Sequence, residues 1–132
     1  MIVVKNDGCI FFDCDDTLVM WDNKYKLEDD NGNKNTISIT DPYHEPAMYS
    51  PLPSVYELVP HDKHIQYLKD SKIKNKNTIV VWSAGGYLWA EAVVKALGIE
   101  EYVDAVMTKP YRYVDDLPAK EFMGIRIYKD MK

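Results

Sequence analysis

The stretch Ile10-Phe11-Phe12-Asp13-Cys14-Asp15-Asp16-Thr17-Leu18 constrains this chain more than any other. A short apolar run ends abruptly in acids. The run is too short for a helix and rich in aromatic and branched residues, so it reads as a buried strand. Ligands of open α/β sheets bind just outside the carboxyl ends of the strands. Asp13 falls at that end, and Asp15, one residue removed, points into the same space. Two carboxylates so close do not both stay ionised without a cation or a shared proton. The simplest partner is Mg²⁺, which takes hard oxygen ligands. A strand that runs into a solvated acidic turn would look the same over these residues, so the rest of the chain has to decide.

The chain has 132 residues, enough for one domain with a single core. We therefore expect a single domain over 1–132, with residues 19–60 as an insert. Hydrophobic content of 46% and charged content of 28% are ordinary for a globular protein. A formal charge of −5 argues against a broad nucleic-acid-binding surface, which needs a basic face. It leaves room for a nucleotide or a strand end bound locally through a metal. No apolar run is long enough to span a membrane, and no membrane partner is expected. Met1-Ile2-Val3-Val4-Lys5 lacks the basic region and long apolar core of a signal peptide. Cys9 and Cys14 flank an extended run that opposes a disulfide between them. Both read as reduced thiols of a cytoplasmic protein.

Along the chain, residues 2–5 suggest a strand and Asn6-Asp7-Gly8 a turn. After the acids, Val19, Trp21, Tyr25 and Leu27 alternate, as do Ile37 and Ile39 within Thr36–Thr40. Between them lies Asn31-Gly32, a hairpin turn signal because both residues tolerate positive φ. This predicts a β-hairpin flap over 19–40 that overhangs the acids. Residues 41–60 read as a loop broken by Pro42, Pro46, Pro51, Pro53 and Pro60. In it Tyr43, Tyr49 and Tyr56 serve as anchors to the core, and Ser54-Val55-Tyr56-Glu57 fits a capping box. Asp62 is placed to cap a helix to about Lys72, with Ile65, Leu68 and the Lys72 stem inward. Lys69, Lys72, Lys74 and Lys76 make a solvated basic face. His44, His61 and His64 read as loop or surface histidines.

Thr78–Trp82 is a second buried strand, closed by Ser83-Ala84-Gly85-Gly86. The helix after it carries Leu88, Trp89, Ala92, Val93, Ala96 and Leu97 on one face, and Gly98 is placed to stop it. Further strands are predicted over 104–107, 111–114 and 125–128, with a helical turn at Ala119–Phe122. Strands alternating with helices imply an α/β fold, a Rossmann-like parallel sheet with helices on both faces.

Polar residues now stand at four strand ends: Asp13 with Asp15, Ser83, Lys109, and Asp115 with Asp116. A parallel sheet gathers such ends along one edge. Each residue type has a task in phosphoryl transfer. Asp13 can attack phosphorus and form an aspartyl-phosphate. Asp15 can protonate the leaving oxygen and then deprotonate water. Thr17 and Ser83 can donate hydroxyl hydrogen bonds to phosphoryl oxygens. Backbone N–H groups of Ala84 and Gly85 can add to them where the next helix begins. Lys109 supplies positive charge. Asp115 and Asp116 would complete a Mg²⁺ site with Asp13 and the Asp15 carbonyl.

The ordered set resembles the haloacid dehalogenase-like hydrolase superfamily. Phe12-Asp13-Cys14-Asp15-Asp16-Thr17-Leu18 is similar to its first motif and Val80-Val81-Trp82-Ser83 to its second. Lys109-Pro110 is similar to the third and Tyr113-Val114-Asp115-Asp116 to the fourth. The resemblance spans residues 9–129. It implies a Rossmann-like fold, an aspartyl-phosphate intermediate and dependence on Mg²⁺. Asp16 stands where the family often has Gly. Dehalogenating members do without a second acid, so Asp15 favours phosphoester hydrolysis. The short insert implies a capless or minimal-cap phosphatase with an open site. Its substrate could be a phosphoprotein, a nucleic-acid end, or a small molecule covered by a neighbouring subunit's hairpin in a homo-oligomer.

Three other readings compete. Receiver domains of two-component signalling also combine clustered Asp, Mg²⁺, a hydroxyl and a Lys, but their phosphoryl-accepting Asp follows the metal-binding acids in the chain. A catalytically silent binding or assembly module of the same fold would keep metal binding without turnover. A phosphotransferase would need water excluded from the site.

Overall fold

In the computed structural model, which describes residues 8–21, 31–44 and 52–131, the aromatic run Cys9–Asp13 forms strand β1. It is followed by β2 (Val19–Met20), β3 (Ile37–Thr40), β4 (Val55–Pro60), α1 (Asp62–Ile73) and β5 (Thr78–Ser83). Then come α2 (Tyr87–Leu97), a 3-10 turn (Glu100–Tyr102), β6 (Ala105–Thr108) and α3 (Ala119–Phe122). β1, β5 and β6 make a three-stranded parallel sheet in that order. β2, β4 and β3 make a second, antiparallel sheet with β4 in the middle. The chain is a mixed α/β protein. No helix among the described residues is long and apolar enough to cross a membrane.

Side chains alternate across the parallel sheet, and its two faces differ. Phe12, Ile79 and Val81 point into the core with Ile65 and Leu68 of α1 and Ala90, Val93 and Val94 of α2. Both long helices therefore cover one face, where the sequence predicted helices on both. On the other face Phe11 and Met107 are exposed. Phe11 meets Trp82 edge-on, with ring centroids 4.4 Å apart. Gly98 ends α2 as expected. It takes a left-handed conformation at φ +66° and donates its N–H to the Lys95 and Val94 carbonyls. Lys72 does more than line a solvated face: its ammonium lies 2.7 Å from Asp104, whose other oxygen accepts the Ile79 N–H. This contact ties α1 to β5 and to the start of β6.

The insert departs from its prediction. β3 pairs with β4 over Ile37–Thr40, Val19–Met20 is strand on the other edge of β4, and the rest of the predicted first arm, residues 22–30, lies outside the described residues. Gly32 does take the positive φ, +80°, that the turn signal required. Val55–Pro60, expected to be loop, is the central strand of its sheet because Val55-Tyr56-Glu57-Leu58-Val59 offers β-branched and aromatic residues to both neighbours. Ser54–Glu57 caps no helix. The Glu57 carboxylate instead accepts hydroxyl hydrogen bonds from Ser38 and Thr36. Residues 2–5, the Asn6-Asp7 half of the first turn, and Tyr25, Leu27 and Tyr49 lie outside the described residues.

The two C-terminal strands are not formed. Tyr111–Val114 is exposed along its length, and the Tyr113 hydroxyl accepts the Ala119 N–H at the start of α3. With no face to bury, the alternation there gains nothing from a sheet. In 125–128, Ile125 is exposed, and the backbone of the next residue, Lys129, is engaged by two histidine side chains. Among the described residues, β1 and β6 are thus the edges of the parallel sheet. Leu68 is fully buried where α1 meets that sheet. Leu68→Ala should lower unfolding free energy by about 2–5 kcal/mol, read from chemical denaturation midpoints.

Candidate active site

The acids sit in a tightly wound loop at the end of β1. The Cys14 carbonyl accepts N–H groups from Thr17, Leu18 and Val19 at 3.2, 2.9 and 3.1 Å. Cys14 and Leu18 are fully buried and anchor the loop from below. Burial, with Asp15 and Asp13 nearby, pushes the Cys14 thiol well above its ordinary value, so it serves as packing and not as a nucleophile. Winding the loop this tightly forces Asp16 to φ +59°, a conformation that Asp and Asn tolerate better than most residues. The Asp16 carboxylate accepts the Trp21 N–H at 3.1 Å.

The loop presents Asp13 and Asp15 to different partners. One Asp13 oxygen lies 3.4 Å from the Lys109 ammonium, and the other accepts the Thr17 hydroxyl at 3.2 Å. Lys109 arrives from the end of β6, and its N–H bonds the Ser83 carbonyl at 2.9 Å. Asp15 turns the other way. One of its oxygens takes the indole N–H groups of Trp21 at 2.7 Å and Trp89 at 3.0 Å. Its second oxygen is 3.4 Å from the hydroxyl of buried Ser83. Asp13, Asp15, Thr17, Ser83 and Lys109 therefore converge at one sheet edge, as the strand-end argument predicts.

Other candidates sit differently. Asp115 and Asp116 are exposed on the segment after Lys109, and the Asp115 carboxylate accepts the Leu117 N–H. Without a fourth strand to carry them, nothing draws them to the sheet edge. Among the described residues, no group of three or more His, Cys, Asp and Glu side chains is arranged to hold a metal ion. Ala84 and Gly85 lie beside the site, but the Gly85 N–H is spent on the Ser83 hydroxyl at 3.0 Å. The N–H groups of Tyr87 and Leu88 at the start of α2 go to the Thr108 and Tyr43 hydroxyls.

Tyr43 reaches α2 by crossing Gly86, whose φ is +100°. A methyl group added there would come within 2.1 Å of the tyrosine oxygen, so only glycine fits under this strap. Trp21 and Trp89 were missed as Asp15 partners. Trp89 is buried, and a buried indole needs an acceptor for its N–H, a signal that could have found it; Trp21 is exposed and carried none.

His61 and His64 are buried, against the expectation of surface histidines. Their rings stack 3.7 Å apart. His61, not Asp62, caps α1, its Nδ1 accepting the His64 N–H at 3.2 Å. This leaves Nε2 to donate to the Lys129 carbonyl at 2.7 Å. His64 Nε2 accepts the Lys129 N–H at 2.8 Å, so its Nδ1 donates to the Thr17 carbonyl at 2.6 Å. Every ring nitrogen is used, one as acceptor and one as donor on each ring. The Tyr128 hydroxyl donates to the Asp16 carbonyl at 3.0 Å. The C-terminal segment is thus clamped to the acidic loop. Three histidine positions were expected to be idle, and two of them hold the loop in place.

Comparison with protein-family models, with curated proteins and with solved structures finds no match to this chain.

Two outcomes follow from this geometry. Gly86→Ala should displace Tyr43 and cost about 1–3 kcal/mol of stability, measured by thermal or chemical unfolding. Burial holds the His64 imidazole below its ordinary value of 6.5; the hydrogen bond to the Thr17 carbonyl opposes this, and the nearby His61 and Lys129 add to the lowering. A histidine kept neutral in the folded state stabilises fully above the unfolded value. That contribution is lost as pH falls from 6.5 toward the depressed folded value. Denaturation midpoints should therefore drop as pH falls through 6.5, and His64→Asn should flatten that slope.

Proposed function

We propose that this protein is a Mg²⁺-dependent phosphatase that hydrolyses a phosphomonoester through an aspartyl-phosphate on Asp13. We place it as a minimal-cap relative of the haloacid dehalogenase-like hydrolases. The observation that carries the reading is Asp13 at the carboxyl end of a parallel strand, held between Lys109 and the Thr17 hydroxyl. A carboxylate held on both oxygens is oriented for in-line attack. Asp15 and Ser83 stand on the adjoining side, where a leaving oxygen and a phosphoryl oxygen would lie.

In this reading Asp13 attacks phosphorus and the bond to the leaving alcohol breaks. Asp15 delivers the proton to the departing oxygen. Asp15 then takes a proton from water, which attacks the aspartyl-phosphate and releases phosphate and free Asp13. Lys109 and Ser83 hold the phosphoryl oxygens throughout. Mg²⁺ is suited to the donors present, because it takes one or two carboxylates together with phosphate oxygens and waters. Asp13 and the Asp15 carbonyl would hold it, with Asp115 or Asp116 as a further donor if that segment swings in. When bound it would neutralise the clustered negative charge. The β2–β4–β3 sheet and the Tyr43 strap act as the minimal cap.

Phosphate release from an aryl phosphate, with and without Mg²⁺, tests the assignment. We expect metal-dependent turnover that falls at least about a hundredfold in Asp13→Asn. Equal turnover in both proteins would mean the wrong nucleophile. A second reading of the same acidic loop, with Asp115 and Asp116 exposed outside any strand, is a silent binding module. It would show Mg²⁺ binding by calorimetry and no turnover.

A further inference from the structure

Beside Asp15 opens a cavity of about 350 Å³, within the range of small-molecule sites. It is lined by the rings of Trp21, Tyr43, Tyr56 and Trp89, with Asp41 and Gly85. Asp15 itself lines it, so a leaving group that starts at Asp15 has this cavity to extend into. Neither Lys, Arg nor His is among the described lining residues. The site's lysine, Lys109, is engaged with Asp13 and lies 5.8 Å from the Trp82 ring centroid.

The rings are set at angles to one another. Trp21 and Tyr56 are inclined by 60° with centroids 5.1 Å apart, and Tyr56 and Trp89 by 84° at 5.9 Å. Trp21 and Trp89 are inclined by 33° at 5.9 Å. No two of the three are parallel, so together they offer a concave corner and no slot for a flat base. Both indole N–H edges are spent on Asp15, which leaves ring faces as the surface on offer. Ring faces carry negative potential and attract organic cations. Two carboxylates at the same cavity add to that potential and disfavour a second phosphate.

We propose that this aromatic corner binds an alkylammonium group, so that the substrate is the phosphomonoester of an amino alcohol. The phosphoryl group meets Asp13, the ester oxygen meets Asp15, and the ammonium lies against Trp21, Tyr56 and Trp89 with Asp41 at the border. The substrate half of this proposal rests on the phosphatase reading above. The cation pocket does not.

Two measurements on the full chain separate these parts. The first compares kcat/KM for phosphocholine with that for 3,3-dimethylbutyl phosphate, its neutral isostere, in the presence of Mg²⁺. We expect roughly tenfold preference for the cation, shrinking to about twofold or less in Asp41→Asn and in Trp21→Leu. Equal values, or a nucleoside monophosphate preferred over phosphocholine, would overturn the proposal. The second follows tryptophan fluorescence during titration with tetramethylammonium, in a Trp82→Phe background that removes the indole outside the cavity. A saturable change, weakened in Asp41→Asn, is expected. Such a change without turnover of any phosphoester would keep the cation pocket and overturn the amino-alcohol phosphate as substrate, together with the phosphatase reading. Turnover of an aryl phosphate with neither choline preference nor tetramethylammonium binding would overturn the pocket and leave the phosphatase reading standing.

Discussion

The register of β1 against β5 is the constraint on which the rest depends. Asp13 is paired with Trp82, and Ser83 with Thr108 on β6, so the polar ends of three strands fall in one row. Parallel pairing is what allows this, because it sends every carboxyl end the same way. The register is enforced from the buried face. Shifting β1 by one residue would turn Phe12 out of the core and point Asp13 into it. Burial of Phe12, Ile79 and Val81 under α1 and α2 therefore positions the site without touching it.

A row of strand ends is still only a frame. The loop that carries Asp13, Asp15 and Thr17 is held by groups from outside it, two of them on the helices α1 and α2. Trp21 and Trp89 hold Asp15, His64 holds the Thr17 carbonyl, and Tyr128 holds the Asp16 carbonyl. The Trp89 and His64 contacts are part-buried and satisfy polar groups that would otherwise be costly to bury. Together they offset the unfavourable left-handed backbone at Asp16. Loops that carry chemistry are commonly stabilised from outside themselves, since the reacting groups must be left free to act. Here the second sheet grips the loop on the Asp15 side and the C-terminal segment grips it on the Thr17 side, while Asp13 faces Lys109.

The same division separates two chemical environments a few residues apart. Asp13 meets a cation and a hydroxyl, surroundings suited to a charged phosphoryl group. Asp15 meets indole edges and opens onto aromatic faces, surroundings suited to whatever the phosphoryl group is attached to. In the proposed reading, one acidic motif joins a phosphoryl-binding side to a side that selects the leaving group, and the aromatic residues of the insert with Trp89 supply the second.

Local pattern made β1, β5, α2, β6 and the Gly98 stop legible, because each is a short apolar run or a helical period closed by a residue with one conformational meaning. It also made the convergence of Asp13, Asp15, Thr17, Ser83 and Lys109 legible, because parallel topology converts order in the chain into proximity. The strand character of Val55–Pro60, its pairing with β3 and the loss of the two C-terminal strands were not legible. Strand pairing is a competition among segments, and no segment's own pattern records the winner. Nor could the histidine clamp or the indole contacts be read from the residues alone. A histidine or tryptophan looks the same in sequence whether it faces solvent or closes a hydrogen bond from a segment 65 or 74 positions away. The sequence by itself determined the acidic strand end and the residue types that meet there. Only the tertiary structure decided which side chains hold Asp15, what lines the cavity beside it, and where Asp115 and Asp116 lie, because those outcomes depend on long-range packing that local periodicity does not encode.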